Sequence, residues 1–200
     1  DLFYLDNKTI FLATINGIYI YNSLDQTITK IKGNFYANEH TQVIKKVGDY
    51  LLFGTKGKGV VVYSLRKKKT TSYYHQENSE MPNSINSIYS HGEKLYFGTN
   101  QGIFIYNFQN GLLKFETILN KNNGLSSNDI LGIHIRDTVL FCITENKLNR
   151  INLNNPDIFA IPVPNTPDIL GIKVNNKLFS NLNSIETDYD KNDIEIQFNS

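Results

Sequence analysis

The chain has 200 residues, 20 basic and 19 acidic side chains, and a formal charge of +1, with 40% hydrophobic and 12% aromatic residues. That length suits one domain, or a domain and part of another, and can bury about 70% of the unfolded surface. The balanced charge gives no global attraction to nucleic acid or an anionic membrane, no apolar run approaches the roughly 20 residues of a membrane helix, and the one cysteine, Cys142, excludes an intrachain disulfide and a multi-cysteine zinc site.

Twelve Tyr, twelve Phe and abundant Ile favour strands, because branched and aromatic side chains fit a pleated surface. In chain order one hairpin is written four times. The copies are "IFLATINGIYIYN" from residue 10, "LLFGTKGKGVVVYS" from 51, "LYFGTNQGIFIYN" from 95 and "LFCITENKLNRIN" from 140. They align on Thr14, Thr55, Thr99 and Thr144, which are 41, 44 and 45 residues apart. A period of that size built from short strands predicts propeller blades, not helical solenoids. Four slots before the Thr stand Ile10, Leu51, Leu95 and Leu140, and two before it Leu12, Phe53, Phe97 and Cys142. After the turn the first three copies run continuously apolar, which predicts strands covered on both faces.

A further strand is expected upstream of each of the last three hairpins ("TQVIKKVGDY", "NSINSIYSHGEK", "SNDILGIHIRDT"). Another is expected downstream of the first three ("TITKIKGNFY", "TTSYYHQ", "LKFETIL"). Glycine beside polar residues in "VGD", "HGE", "INGI" and "NQGI" supplies tight turns. No stretch reads as an amphipathic helix. The expected fold is therefore all-β, a partial β-propeller over 1–156 with about four four-stranded blades, the first lacking its first strand. A Pro-rich linker comes next over 157–166, with Pro162 and Pro164 unfit for a central strand. Residues 167–200 then read as the first strands of a β-sandwich. Both ends, "DLFYLD" and "IEIQFNS", read as strands in progress, and there is no initiator Met or signal peptide. A fragment of a larger protein is expected, with exposed edge strands that invite self-association.

Catalytic and metal constellations are not expected, and no cofactor is. Cys142 shares its slot with Leu12, Phe53 and Phe97 and reads as a core thiol. His134 shares a first-strand slot with Tyr4, Lys45 and Tyr89 and reads as a half-buried imidazole, with a functional role as the alternative. His40, His75 and His91 show no metal-ligand spacing. The three Asp of "TDYDKND", 187–193, do not have calcium-loop spacing. "RKKK", 66–69, reads as a solvated turn guarding a hairpin, or else as an anion site. Tyr73 and Tyr74 read as a stacking platform or as packing on an outer strand.

Propeller topology brings the loops between second and third strands, and those between blades, to one face. That face would carry Asn16, Lys56, Lys58, Asn100, Gln101 and Glu145, with His40, Asn83 and Asn128 from the blade junctions. The candidate ligand-binding residues are His40, Lys56, Lys58, Asn83, Asn100, Gln101, Asn128 and Glu145. Amides with a few charges on a loop ring suit a polar ligand such as a saccharide, and ordinary solvated turns would have the same composition.

"MPNSINSIYSHGEKLYFGTNQGIFIYN", 81–107, resembles the two-component regulator propeller repeat, with its Asn-Ser-Ile start, aromatic-x-Gly-Thr and later Gly. "GLSSNDILGIHIRDTVLFCITENKLNRIN", 124–152, is similar to the same template. Copy four departs from it, with Ile143 for the Gly before the Thr and Lys147 for the hairpin Gly. The segment from Pro167, with "IKVNNKLF" and "YDKNDIEIQF", resembles the start of the three-tyrosine domain found after such propellers. The resemblance implies the non-catalytic periplasmic sensor region of a membrane-spanning regulator, often a hybrid histidine kinase of the Bacteroidetes, with glycan-derived ligands common. It also implies a homodimer in the parent receptor, no nucleic acid bound by this piece, and membrane contact only through other parts of the receptor. A protein-interaction scaffold is the alternative reading.

Overall fold

In the computed structural model the described residues are 1–32, 38–73, 80–159, 169–179 and 193–198. The chain divides into two units, Asp1–Ile161 and Pro162–Ser200. His75, Tyr74, Pro162, Pro164 and most of "TDYDKND" lie outside the described residues.

The first unit is a succession of antiparallel meanders. Sheet 1 holds β1 (Leu2–Tyr4), β2 (Thr9–Thr14), β3 (Gly17–Asn22) and β4 (Thr27–Lys30). Sheet 2 holds β5 (Thr41–Val47), β6 (Tyr50–Thr55), β7 (Val60–Ser64) and β8 (Lys69–Tyr73). Sheet 3 holds β9 (Ser87–His91), β10 (Lys94–Thr99), β11 (Gly102–Gln109) and β12 (Leu112–Leu119). Sheet 4 holds β13 (Gly132–Arg136), β14 (Val139–Ile143) and β15 (Leu148–Asn152). In each sheet the strands lie in sequence order, as tight turns dictate. Two short 3-10 turns, Lys121–Asn123 and Pro156–Phe159, are the only helical segments among the described residues.

The count of strands corrects one expectation. The first sheet is not short of its first strand: β1 pairs with β2 through Leu2–Leu12, Phe3–Phe11 and Tyr4–Ile10. The three-stranded sheet is the fourth. The register also shifts one slot assignment. β5 reaches β6 with Val47 opposite Tyr50, but β1 reaches β2 through a longer loop, in which Asp6 caps the amides of Lys8 and Thr9. Phe3, not Tyr4, therefore shares the slot of Lys45, Tyr89 and His134, because Phe11, Leu52, Tyr96 and Phe141 are their equivalent partners.

Successive sheets pack face to face. Phe11, Ala13 and Ile18 of sheet 1 meet Ile44, Leu51, Phe53, Val61 and Tyr63 of sheet 2. The other face of sheet 2, with Leu52, Val60 and Val62, meets Leu95, Phe97, Phe104 and Tyr106 of sheet 3. Tyr96, Ile103 and Ile105 of sheet 3 meet Ile135, Leu140 and Cys142 of sheet 4. Covering both faces explains why β7 is buried at all five positions, and why its sequence is continuously apolar. β3, equally apolar, is only half-buried from Tyr19 onward because one face of sheet 1 is open. No strand of sheet 1 pairs with one of sheet 4 among the described residues.

Two glycine slots record what lies beside them. A Cβ on Gly54 would stand 2.5 Å from Val43 Cγ1 and 2.8 Å from Ile85 Cβ, the residue leading into sheet 3. At Gly98 it would meet Ser87 Oγ and come within 3.0 Å of Ile130 Cγ2, leading into sheet 4. The second slot, Gly59 and Gly102, has φ of +86° and +119° and lies against the carbonyls of Tyr73 and Leu119 in the fourth strand. Sheet 4 has no fourth strand among the described residues. There the first slot holds Ile143, which is 53% exposed, and the second holds Lys147.

Cys142 is fully buried, and burial pushes its thiol up to about 11. The thiolate that reacts with alkylating reagents is therefore scarce at pH 8. Native protein is expected to be alkylated at least about 100-fold more slowly than urea-unfolded protein, as thiol-trapping kinetics would show. Because the folded value is raised, this residue's contribution to stability is complete below its unfolded value near 9 and fades as pH rises towards 11. A Cys142→Val protein should lose less stability over that interval.

In the second unit, β16 (Ile169–Val174) lies between β17 (Lys177–Phe179) and β18 (Ile194–Phe198), all antiparallel. Asn175 and Asn176, at φ of 49° and 65°, make the two-residue turn of the β16–β17 hairpin. The Lys173 amine lies 3.4 Å from the Glu195 carboxylate, an exposed pair of little energetic weight.

Candidate functional site

The threonine on which the repeats align closes the turn after it. Its hydroxyl donates to the carbonyl at the far side, Thr14 to Gly17, Thr55 to Gly59 and Thr99 to Gly102, each at 2.8 Å, and Thr144 to Lys147 at 3.1 Å. The same oxygen accepts from the turn amides of Asn16, Lys58 and Gln101 at 2.9–3.1 Å. Thr55 and Thr99 are fully buried while doing so. Each turn is thus a preset loop whose outward side chains can meet solvent or a ligand. Thr99→Val keeps the shape and removes both bonds, and is expected to cost about 1–3 kcal/mol in urea unfolding.

Four of the candidate residues come together where sheets 2 and 3 join. The Lys56 amide donates to the His40 carbonyl at 2.8 Å, and the amides of Gly57 and Gly59 donate to the Asn83 carbonyl at 2.8 and 2.9 Å. A β-bridge pairs Lys56 with Ser84. His40, Lys56, Lys58 and Asn83 therefore form one backbone-knit cluster. Asn100 and Gln101 are exposed on the β10–β11 turn, and Glu145 on the β14–β15 turn. Asn128 is occupied, its side-chain oxygen accepting from the Lys121 amide at 2.8 Å.

A run of side-chain bonds beside this end ties the sheets together, and the repeat pattern alone did not single it out. Gln42 donates to the Ile85 carbonyl at 2.7 Å, and Asn86, in the same slot, donates to the Ile130 carbonyl at 3.0 Å. Sheet 4 has Leu131 in that slot. The signal was available as an amide recurring three residues before Lys45 and Tyr89.

His134 departs from expectation. It is exposed, not half-buried, because the outer face of sheet 4 is open, and its ring meets Tyr89 edge-on at 5.3 Å. Lys45 lies 5.3 Å over the same Tyr89 ring. Of "RKKK", Arg66 pairs with Asp49 at 2.6 Å on the exposed β7–β8 turn and Lys69 opens β8. Tyr73 donates its hydroxyl to the Gly111 carbonyl at 3.2 Å, a packing role between sheets 2 and 3.

Two open clefts lie at the opposite end of the sheets from the candidate turns. One, of about 340 Å³, is lined by Asp49, Tyr50, Arg66, Lys67, Phe108 and Asn110. The other, of about 460 Å³, is lined by His91, Glu93, Tyr96, Asp137, Leu153 and Phe159. Neither includes a candidate residue. Among the described residues no three His, Cys, Asp or Glu side chains are grouped to hold a metal ion.

No protein-family description matches the sequence, and no curated protein matches it. Solved structures do share the fold. The extracellular domain of BT4673 from B. thetaiotaomicron, described as a hybrid two-component system, superposes with a TM-score of 0.61 at 14% identity, over 90% of this chain and 23% of that one. A second structure of the BT4673 extracellular domain, described as a one-component system, gives 0.59 at 25% identity over 74% and 20%. The extracellular domain of BT3049 from the same organism, also described as a hybrid two-component system, gives 0.56 at 21% identity over 74% and 21%. The chain thus spans about a fifth of the length of these extracellular domains.

Proposed function

We propose that this chain is a non-catalytic piece of the extracytoplasmic, periplasmic sensor region of a two-component receptor. Its four sheets are blades of a β-propeller, and its second unit begins a three-tyrosine β-sandwich. The fold shared with three sensor ectodomain structures carries the reading, joined to the repeat resemblance at 81–107 and 124–152. A polar ligand, most simply an oligosaccharide, is held at the end bearing His40, Lys56, Lys58, Asn83, Asn100, Gln101, Asn128 and Glu145. Turns preset by buried threonines cost little ordering entropy when a ligand binds them. Binding there biases how blades and sandwich pack, and a homodimeric parent receptor passes the bias on. Nucleic acid and membrane contacts belong to other parts of that receptor, and no cofactor takes part.

The test is calorimetric titration of the chain with a panel of oligosaccharides, repeated on Asn100→Ala/Gln101→Ala. Saturable binding to one glycan class, weakened at least about tenfold in the double variant, is the expected result. Binding that the variant leaves unchanged removes this end as the site, and cleavage of any glycan removes the non-catalytic reading.

A further inference from the structure

The cleft between sheets 3 and 4 contains a hydroxyl that the fold leaves without a partner. Tyr96 is 4% exposed and lines this cleft, yet its phenol makes no hydrogen bond among the described residues. Buried polar groups are ordinarily satisfied, and an unsatisfied one destabilises the fold. The equivalent residues of the other sheets are Phe11, Leu52 and Phe141, so the repeat itself does not call for a hydroxyl here. Burial and the charge of Glu116 push the phenol up, so it keeps its proton and can donate into the cleft.

The charges around it are unevenly settled. Glu116 meets the Lys94 amine at 2.5 Å and the Asn107 amide at 3.4 Å, which neutralises the lysine on the cleft wall. Two exposed carboxylates on that wall are not neutralised. Glu93, on the β9–β10 turn, accepts from the Gln109 side chain at 2.9 Å, and Asp137, on the β13–β14 turn, has no recorded partner; neither is in an ion pair among the described residues. Between sheets 2 and 3 the carboxylate in the slot of Glu93, Asp49, is paired with Arg66 at 2.6 Å. Asp137 also stands at φ of 55°, in the slot where Gly48 and Gly92 take 54° and 59°. The sequence thus keeps a carboxylate where the turn favours glycine.

The remaining wall is apolar. Leu153 and Phe159 line the cleft, and the turn carrying Phe159 is tied down by Asn123, whose side-chain amide donates to the Ile158 carbonyl at 2.9 Å. The space of about 460 Å³ falls within the roughly 300–1,000 Å³ of small-molecule sites. Among the described residues no three His, Cys, Asp or Glu side chains are grouped to hold a metal ion, so the cation these carboxylates suit is organic. We propose that this cleft binds a small amphipathic amine, of amino-acid to dipeptide size. Its ammonium is held by Glu93 and Asp137, its apolar body lies against Leu153 and Phe159, and a carbonyl or hydroxyl oxygen accepts from Tyr96. The site is at the opposite end of the sheets from the candidate turns and does not depend on the oligosaccharide reading.

The test is calorimetric titration of the whole chain with L-phenylalaninamide, L-leucinamide and their dipeptide amides, beside the N-acetylated form of each. Saturable binding of at least one amine is expected, weakened at least about tenfold by N-acetylation and by Asp137→Asn, which suits the left-handed turn and removes only the charge. Tyr96→Phe fills the same space and is expected to weaken binding at least about threefold. It should melt no lower than the parent chain, since the hydroxyl it removes has no partner. The proposal is overturned if no amine saturates, if the acetylated forms bind equally, or if either variant leaves binding unchanged. It is overturned too if Tyr96→Phe melts lower, which would make the hydroxyl a structural group.

Discussion

Gly54→Val is expected to destabilise the chain by more than about 3 kcal/mol, enough to leave little folded protein at 37 °C. The reason is the crowding over β6. A Cβ at this position would overlap Val43 Cγ1 and Ile85 Cβ, and Ile85 is fully buried with its amide held by the Thr55 carbonyl at 2.9 Å. The Ile85 Cβ cannot swing aside as the tip of a long side chain could. Valine therefore pushes sheet 3 away from sheet 2 or strains β6. The same slot in sheet 4 gives the internal control. Ile143 stands there in the open, so Ile143→Ala is expected to change stability by less than about 1 kcal/mol. Urea unfolding of the two variants measures both.

Phe97→Ala should cost about 3–5 kcal/mol, because it empties a fully buried ring site that cannot collapse. Phe97 lies between Tyr106 and the Leu52 and Val62 of sheet 2. Tyr106 is held by a hydrogen bond from its hydroxyl to the Glu80 carbonyl and cannot move into the vacancy. Tyr106 is 1% exposed, and this burial pushes its phenol far above the ordinary range. In sheet 1 the equivalent residue is Leu12, and Leu12→Ala is expected to cost about half as much or less, since one side of it faces solvent. Equal losses at the two positions would show that the outer face of sheet 1 is covered in the isolated chain.

Strand order, the period and the threonine alignment were legible because each is a local property. A tight turn forces neighbouring strands together, and a buried hydroxyl must find partners within its own turn. The registry of β1 was not legible, since the longer loop holding Asp6, Asn7 and Lys8 moves Phe3 into the slot that spacing gave to Tyr4. Ile143 and Lys147 were visible as departures, but their meaning needs the neighbour that the glycines at 54, 98, 59 and 102 accommodate. The candidate turns could be placed at one end from topology. Clefts at the other end, lined by Asp49, Tyr50 and Phe108 or by His91, Tyr96 and Phe159, draw their walls from neighbouring sheets and leave no trace in the pattern of any one repeat. The exposure of His134 likewise follows from an uncovered face of sheet 4, which becomes readable only when Ile143 and Leu131 are set against Gly54, Gly98, Gln42 and Asn86.

The most direct test of the functional account is amide hydrogen exchange of the chain with and without the oligosaccharide panel. The account predicts new protection at 56–59, 83–84 and 99–102, where threonine-closed turns meet the sheet junctions. Protection confined to 48–50, 66–67 and 92–94 would place the ligand in the opposite clefts, and no protection with any glycan would leave these turns as structural closures alone; either result contradicts it.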